Sequence, residues 1–535
     1  MTYLAVPIAA KNLNEAEEQI KAAAAAGAGM LELRTDFLVH LSVGLALQVI
    51  SAAKRLSPSL PVIVTCRDYH QGGALRHSNQ LRTDVLTAAV RAGAEFVDVE
   101  YDNFISTAIQ GKISLALSDG ANTRLILSAH NFQTKFKNIT KFYWEIVNAF
   151  TGAIPKLVYS AHHINDCFDI LDLMRDRKSD VIAFCMDEPG FITRIIAKKL
   201  GVFLTFASIE EKTATAPGQP TIAQLKNIFR WDSINADTEL YGIIGSPIAH
   251  SLSPAIHNAC FTEQGLNKVY LPLLVAGGQA PSTLRLDSGQ ASSGQAEFNA
   301  FMDNILSRPW LDFRGFSVTI PHKENALNYV KEKGGFIDPL AEKIGAVNTI
   351  VVDPRATSDE RRVTAFNTDC PAALDTITSS LGIDRAGLKK IPVVVIGAGG
   401  VARAIVAGLA DAKAKVKIYN RTVERAKRLA HDFKCDYAGL DDLRKLKATL
   451  VINCTSIGMS PNTDASPVDA KFLNKDMAVF DTVYNPVETL LLKQAKQLGC
   501  KTIPGLDMFV SQAAEQFKLF TGKNANINLM RETIV

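Results

Sequence analysis

The stretch Ala26-Gly-Ala-Gly-Met-Leu-Glu-Leu-Arg34 returns in kind as Ala92-Gly-Ala-Glu-Phe-Val-Asp-Val-Glu100, and the pair sets the architecture of the first half of the chain. In each copy a helical pattern, Asn14 to Ala26 or Thr83 to Arg91, stops at a glycine, and a short apolar strand follows that ends in charge. Glycine tolerates the left-handed backbone that closes a helix, so each junction reads as a helix stop joined to a strand start. Further strands of the same kind are predicted at Leu4–Ile8, Val62–Arg67, Arg124–Ala129, Ile154–Tyr159, Val181–Met186 and Phe203–Phe206. Eight strand-then-helix units within the first 210 residues predict an α/β fold of the closed (β/α)8 barrel type rather than an open sheet.

The whole chain has 535 residues, which at about 150 per domain allows three or four folding units. Hydrophobic residues at 47% and charged residues at 21% exclude a disordered chain. A formal net charge of +4 is too slight over this length to indicate a nucleic-acid or membrane partner, and small anionic ligands stay open. The eight cysteines lack a C-x-x-C pair or a Cys/His cluster, which argues against a metal site or a disulfide framework and for a reducing compartment. No apolar run approaches the roughly twenty residues of a membrane span, and Met1 leads directly into Leu4-Ala-Val-Pro-Ile8. The expectation is a cytoplasmic protein, although a plastid protein trimmed of its transit peptide would read the same way.

In a parallel barrel the C-terminal strand ends collect the chemistry, and here they carry Glu32, Arg34, Arg67, Glu100, His130 and Lys156. Lys156 stands out inside Ile154-Pro-Lys-Leu-Val-Tyr159, since a lysine is seldom buried without a task. Burial and nearby arginines both favour its neutral amine, which can attack a carbonyl to form a Schiff base. His130, after Leu125-Ile-Leu-Ser-Ala129, is the candidate proton shuttle.

These residues resemble the type I 3-dehydroquinate dehydratases over about residues 3 to 226, through Glu32-Leu-Arg34, Thr65-Cys-Arg67 with Gly72-Gly73, Ser128-Ala-His130, Ile154-Pro-Lys156 and Thr215-Ala-Pro-Gly-Gln219. The resemblance implies that Lys156 forms an imine with the ketone of 3-dehydroquinate and that His130 removes the neighbouring C–H proton. It also implies that Arg194 holds the substrate carboxylate and that Glu32, Arg34, Arg67, Thr215 and Gln219 bind the ring hydroxyls. One position departs from the pattern: Gln71 stands where the family usually has Glu just before the glycine pair. An amide can orient an imidazole but cannot stabilise imidazolium as a carboxylate does, which predicts slower dehydration.

The second half opens after a boundary expected near 230 to 238. Its clearest signal is Pro392-Val-Val-Val-Ile-Gly-Ala-Gly-Gly-Val-Ala-Arg-Ala404, a strand leading into Gly397, Ala398, Gly399, Gly400, Val401 and Ala402 and then a helix. Amides at such a helix start meet a pyrophosphate. The next strand ends in Asn420-Arg421-Thr422 rather than an acidic residue, which favours the 2′-phosphate of NADP. Lys323, in Val318-Thr-Ile-Pro-His-Lys323, falls at a helix start where the dipole disfavours a cation, suiting a proton donor. Asp369 is either its partner or a helix N-cap. The stretch 276–296, rich in Gly, Ser and Gln, reads as a surface loop.

From about 239 to 535 the chain resembles shikimate dehydrogenase, through Gly245-Ser-Pro-Ile-Ala-His-Ser-Leu-Ser-Pro254, Val318–Lys323, Gly345-Ala-Val-Asn-Thr349, Asn367-Thr-Asp369, the cofactor glycines, Asn453-Cys-Thr-Ser456 and Gly505-Leu-Asp-Met508. That likeness implies that Ser251 and Ser253 hold the shikimate carboxylate, that Thr319, Asn348, Asp369, Tyr484 and Gln512 contact the ring, and that Lys323 and Asp369 form the acid–base pair for hydride delivery from NADPH. Because the dehydratase product, 3-dehydroshikimate, is the dehydrogenase substrate, a bifunctional enzyme is expected. Its domains would be a barrel over 1–230, a substrate-binding part over 239–374 with 507–535, and a Rossmann part over 375–506. The rival readings are a catalytically silent metabolite sensor, a Schiff-base aldolase barrel, and a dehydrogenase preferring quinate. Intact Ser251 and Ser253 favour shikimate.

Overall fold

The computed structural model describes residues 2–119, 122–277, 294–353, 363–389, 391–445 and 447–534. Most of the stretch expected to be a surface loop, 278–293, therefore lies outside the described residues. The chain divides into two compact units, Met1–Thr238 with Asn267–Val275 and Glu239–Leu266 with Ala276–Val535.

In the first unit eight strands run parallel: β1 (Tyr3–Ile8), β2 (Met30–Arg34), β3 (Val62–Thr65), β4 (Phe96–Glu100), β5 (Arg124–Asn131), β6 (Ile154–Ser160), β7 (Ile182–Met186) and β8 (Leu204–Phe206). Their order is β7-β6-β5-β4-β3-β2-β1-β8, and a hydrogen bond from Phe203 N–H to Val181 O of 3.0 Å links the segments leading into β8 and β7. The repeated junctions behave as their residues dictate. The Asn12 side chain caps the helix Leu13–Ala25, Ser78 caps the helix Asn79–Arg91, and the glycines that follow, Gly27 and Gly93, take φ of 84° and 74°.

Strand side chains alternate between faces, so the residues filling the barrel recur at every second position and stack in layers. The lowest layer is apolar: Met30, Ile63, Phe96, Ile126, Ile154 and Ile182 belong to one buried cluster. Two residues further along, the same strands bring Glu32, Thr65, Asp98, Ser128 and Lys156 inward, all buried. Arg34, Arg67, Glu100 and His130 follow after another two. Lys156 is accordingly not a strand-end residue, as the sequence predicts, but the third residue of a β6 that continues to Ser160. Arg67 conversely lies two residues past the end of β3.

The second unit contains two sheets. One includes, in order, Glu239–Gly245, Phe313–Val318, Thr349–Val352, Val363–Phe366 and Phe336–Ile337. The other is wholly parallel, in the order Asp436–Gly439, Lys415–Asn420, Pro392–Ile396, Leu450–Asn453, Ala478–Asp481 and Lys501–Ile503. Numbered along the chain this is 3-2-1-4-5-6, the doubly wound dinucleotide fold, whose crevice opens where the order reverses. The helix Asp369–Leu381 runs unbroken through the border expected at 374. The helix Gly505–Thr521 returns to the first sheet, where Gln516 accepts from Ser317 Oγ at 2.6 Å and donates to Thr349 Oγ1 at 3.0 Å.

Candidate active sites

The middle layer of the barrel is a buried ion cluster. Lys156 Nζ lies 2.8 Å from Asp98 Oδ2 and 3.4 Å from Glu32 Oε1, and 4.7 Å above the Phe206 ring. Thr65 Oγ1 donates to Glu32 at 2.9 Å, while Ser128 Oγ donates to the other Asp98 oxygen at 2.6 Å. Arg67 bridges Asp98 at 2.7 Å and Glu100 at 3.0 Å, and Arg82 completes the cluster by pairing with Glu100. Burial alone would raise the Asp98 carboxyl, but Arg67 and Lys156 outweigh it and hold the group far below the usual carboxylate range. Around Lys156 the sequence predicts burial and arginines; the structure adds two carboxylates in contact with it. Asp98 was not anticipated, although a carboxylate between valines in Phe96-Val-Asp-Val-Glu100 is as anomalous as a lysine within an apolar strand.

His130 lines the same cavity as Lys156, with Glu32, Arg34, Arg67, Gln71, Arg194, Thr215 and Gln219. Burial, then the positive charges of Arg67 and Lys156, hold its imidazole well below the ordinary range, so it is uncharged at neutral pH. Its Nδ1 is 3.3 Å from Gln71 Oε1, and the Phe132 ring lies parallel to it at 6.0 Å. The glycine pair after Gln71 has a steric reason. A Cβ on Gly72 would meet Phe132 Cζ at 2.8 Å, and one on Gly73 would meet Arg67 O at 2.4 Å.

Among the described residues Arg194 is a cation of this cavity without an ion-pair partner. It is 1% exposed, its guanidinium sits 4.1 Å from the Phe184 ring centroid, and neither Nε nor Nη2 has a hydrogen-bond partner. Burial pushes it down to about 10, which the charge of Asp187 offsets only in part. Gln219 turns its carbonyl oxygen to Thr215, accepting from Thr215 N at 2.9 Å and Oγ1 at 3.2 Å, which leaves its buried Nε2 likewise unpartnered. Arg34 is committed to Asp36 at 2.8 Å and reaches Gly72 O at 3.2 Å.

The second unit has a cavity of its own, lined by Ser253, Thr319, Lys323, Asn348, Asp369, Val401, Tyr484 and Gln512. Lys323 opens the helix Lys323–Glu332 and Asp369 opens Asp369–Leu381; their side chains, both buried, meet at 2.5 Å. Asp369 is therefore not a cap: its N–H is bonded by Asn367 Oδ1 at 3.1 Å. Asn348 is held by Thr368, donating to its Oγ1 at 2.9 Å and accepting from its N–H at 2.8 Å. Tyr484 stacks on Phe509 at 3.9 Å, and burial pushes its hydroxyl up to about 12. Gln512 Nε2 donates to Phe509 O at 2.9 Å. Ser251 is not among the residues against the cavity; its hydroxyl accepts from Ser253 N–H at 3.3 Å.

The strand Pro392–Ile396 ends at Gly397, and the helix Gly400–Asp411 begins three residues later. A Cβ on Gly399 would meet nothing within 4 Å, while one on Gly400 would strike Lys323 Cδ at 2.8 Å. The loop Gly397, Ala398, Gly399 with Gly400, Val401 and Ala402 thus offers an open backbone face beside Lys323, which fits a dinucleotide pyrophosphate. At the tip of the neighbouring strand Asn420 Nδ2 holds Thr422 O at 2.9 Å, and Arg421 is exposed, as a 2′-phosphate ligand requires. Among the described residues no group of His, Cys, Asp and Glu could hold a metal ion, and no helix is long and apolar enough to cross a membrane.

Residues 4–236 match the family model for type I 3-dehydroquinase. Residues 243–350 match the shikimate dehydrogenase substrate binding domain, 381–467 match shikimate / quinate 5-dehydrogenase, and 505–535 match the shikimate 5'-dehydrogenase C-terminal domain. The chain is 34% identical to the chloroplastic bifunctional 3-dehydroquinate dehydratase/shikimate dehydrogenase of Arabidopsis thaliana, over 97% of this chain and 82% of that protein. It is 39% identical to the shikimate dehydrogenase (NADP(+)) of Methanosarcina acetivorans over 55% of this chain and 97% of that protein. A solved shikimate 5-dehydrogenase of Thermus thermophilus, in complex with NADP(H) and shikimate, is 32% identical, with a TM-score of 0.44 over 55% of this chain and 98% of its own.

Proposed function

We infer the chemistry of each site from one premise: the chain belongs to the family of bifunctional 3-dehydroquinate dehydratase/shikimate dehydrogenases. It is a 3-dehydroquinate dehydratase and an NADP-dependent shikimate dehydrogenase of the shikimate pathway, and the aldolase and silent-sensor readings give way. The barrel, through residue 230, carries the first activity; the part opening at 239, with 507–535, binds the second substrate and the part through 506 binds the dinucleotide, the border between them falling within the helix Asp369–Leu381.

In the barrel, Arg194 takes the carboxylate of 3-dehydroquinate, and Arg34, Arg67, Glu32, Thr215 and Gln219 take its hydroxyls. The Lys156 amine adds to the ketone and water leaves, giving a protonated imine. Asp98 and Glu32 stabilise that cation where they already contact the nitrogen. Uncharged His130 removes the adjacent C–H proton as the iminium accepts the electron pair, then returns a proton to the departing hydroxyl. Hydrolysis of the conjugated imine frees 3-dehydroshikimate and Lys156. The observation that carries this reading is the unpartnered, buried guanidinium of Arg194 in one cavity with Lys156 and His130. A charge left without a counter-ion indoors awaits an anionic ligand. Borohydride added with 3-dehydroquinate should trap the adduct on Lys156; a peptide map with the label elsewhere would reject this route.

In the second unit, Gly397 to Ala402 hold the pyrophosphate and Asn420, Arg421 and Thr422 the 2′-phosphate. NADPH, when bound, supplies a hydride. Ser253, with Ser251 behind it, takes the carboxylate of 3-dehydroshikimate, while Thr319, Asn348, Tyr484 and Gln512 orient the ring. Lys323 gives the proton to the carbonyl oxygen and Asp369 compensates its charge at 2.5 Å. Intact serines favour shikimate over quinate. A ratio of kcat/KM below one for shikimate against quinate would reverse that preference.

A further inference from the structure

Asp102 has no part in the chemistry above, yet it is joined to the base by one residue. It lies in the short helix Tyr101–Phe104 after β4, and its Oδ2 accepts from Gln71 Nε2 at 3.2 Å. The other end of that amide, Oε1, is 3.3 Å from His130 Nδ1. We propose that Asp102 is a positioning residue for the dehydratase: by fixing the orientation of the Gln71 amide it selects the tautomer in which His130 Nε2 carries the lone pair.

Donors and acceptors decide the orientation of the amide. An ionised carboxylate only accepts, so the amide must turn its NH2 to Asp102 and its oxygen to the imidazole. That oxygen also only accepts, so the hydrogen of the neutral ring sits on Nδ1 and Nε2 is the base. Rotated by half a turn, the amide would set its oxygen against a carboxylate and its NH2 against Nδ1, and the proton would have to move to Nε2. His130 would then have no lone pair for substrate.

The remaining freedoms of the base are already restricted. Burial with Arg67 and Lys156 keeps it uncharged, and the parallel Phe132 ring defines its plane. The Gln71 backbone is held in a turn capped by Asp68, which accepts from His70 N at 2.8 Å, and by the close approach of Gly72 and Gly73. The choice of tautomer is what is left, and Asp102 makes it. With a glutamate at position 71 the carboxylate would select the same tautomer unaided, and Asp102 would then face a like charge. Gln71 and Asp102 are thus a matched pair.

The inference rests on His130 being the base, and a four-protein cycle separates the two. The full chain is prepared as wild type, Asp102→Ala, Gln71→Glu and the double variant, and kcat and KM for 3-dehydroquinate are measured with the 15N resonances of His130. Asp102→Ala should lower kcat about three- to tenfold, the effect of one hydrogen bond. KM should stay within about twofold, as for a change confined to the transition state. The Nδ1–H signature should give way to mixed tautomers. Asp102→Asn, which keeps an accepting oxygen, should retain more than about half of kcat. In the Gln71→Glu background the sign reverses: removing Asp102 should raise kcat. An equal loss in both backgrounds would show a merely structural role and overturn the proposal, as would an unchanged kcat with an unchanged Nδ1–H signature in Asp102→Ala. Unimpaired dehydration by His130→Ala would instead overturn the base itself, whatever the cycle shows.

Discussion

His130 and Arg194 both line the barrel cavity and both have their basicity depressed by burial, and each yields a prediction. The imidazole is held below its ordinary range by burial and by Arg67 and Lys156, so the free enzyme keeps its base deprotonated as the pH falls through 6.5. The acid limb of kcat/KM for dehydration should therefore lie below pH 6.5; a limb centred at 6.5 would mean that the ring is solvated or is not the base. Arg194→Met should raise KM for 3-dehydroquinate by one to two orders of magnitude, since a charge-assisted hydrogen bond contributes about 1.5–3 kcal/mol. The oxidation of shikimate should be untouched by that change. Lys156 and His130 are readable in the sequence because a cation in an apolar strand and a histidine at a strand end are rare enough to demand a reason. Asp102 is not: an exposed aspartate in a short helix has no local signature, and its relevance appears only when the loop bearing Gln71 folds over β5.

Strand periodicity explains why the chemistry lies one layer inside the barrel. In β4 the inward positions are Phe96, Asp98 and Glu100, and in β6 they are Ile154, Lys156 and Val158. Reading every second residue of the eight strands would have placed Asp98 opposite Lys156; reading only strand ends did not. Strand bounds shifted by one or two residues, as at β6 and β3, are enough to move a side chain from rim to interior. The ion cluster holds these strands together electrostatically. Asp98→Ala leaves Arg67 and Lys156 short of a counter-charge and should destabilise the barrel by about 3–5 kcal/mol, seen as a lower denaturant midpoint for its unfolding. Gly73→Ala forces a Cβ to 2.4 Å from Arg67 O and should displace the Gln71 turn. A loss of kcat of about tenfold or more is expected from misplacing that turn, with the dehydrogenase rate as the internal control. In the second unit the glycine loop and Asn420–Thr422 were legible from short-range pattern alone. The altered standing of Ser251 was not, because Ser253 opens the helix Ser253–Glu263 while Ser251 stays in the loop before it, a difference that appears only once the helix is placed.

Each unit contains a cavity lined by its candidate reacting side chains, the first within residues 32–219 and the second within 243–516. Among the described residues each cavity is lined from its own unit, so loss of one amine should silence one activity and spare its neighbour. This separation was evident in the sequence, where every motif of the first resemblance precedes every motif of the second. The substrate-binding part could not be delimited in the same way, because its chain leaves through the helix Asp369–Leu381 and returns through Gly505–Thr521. The decisive measurement is the product formed from 3-dehydroquinate and NADPH by wild type, Lys156→Ala and Lys323→Ala. Wild type should yield shikimate, Lys323→Ala should accumulate 3-dehydroshikimate, and Lys156→Ala should leave 3-dehydroquinate unconsumed while still reducing added 3-dehydroshikimate. Shikimate formed from 3-dehydroquinate by Lys156→Ala at the wild-type rate would contradict the Schiff-base account.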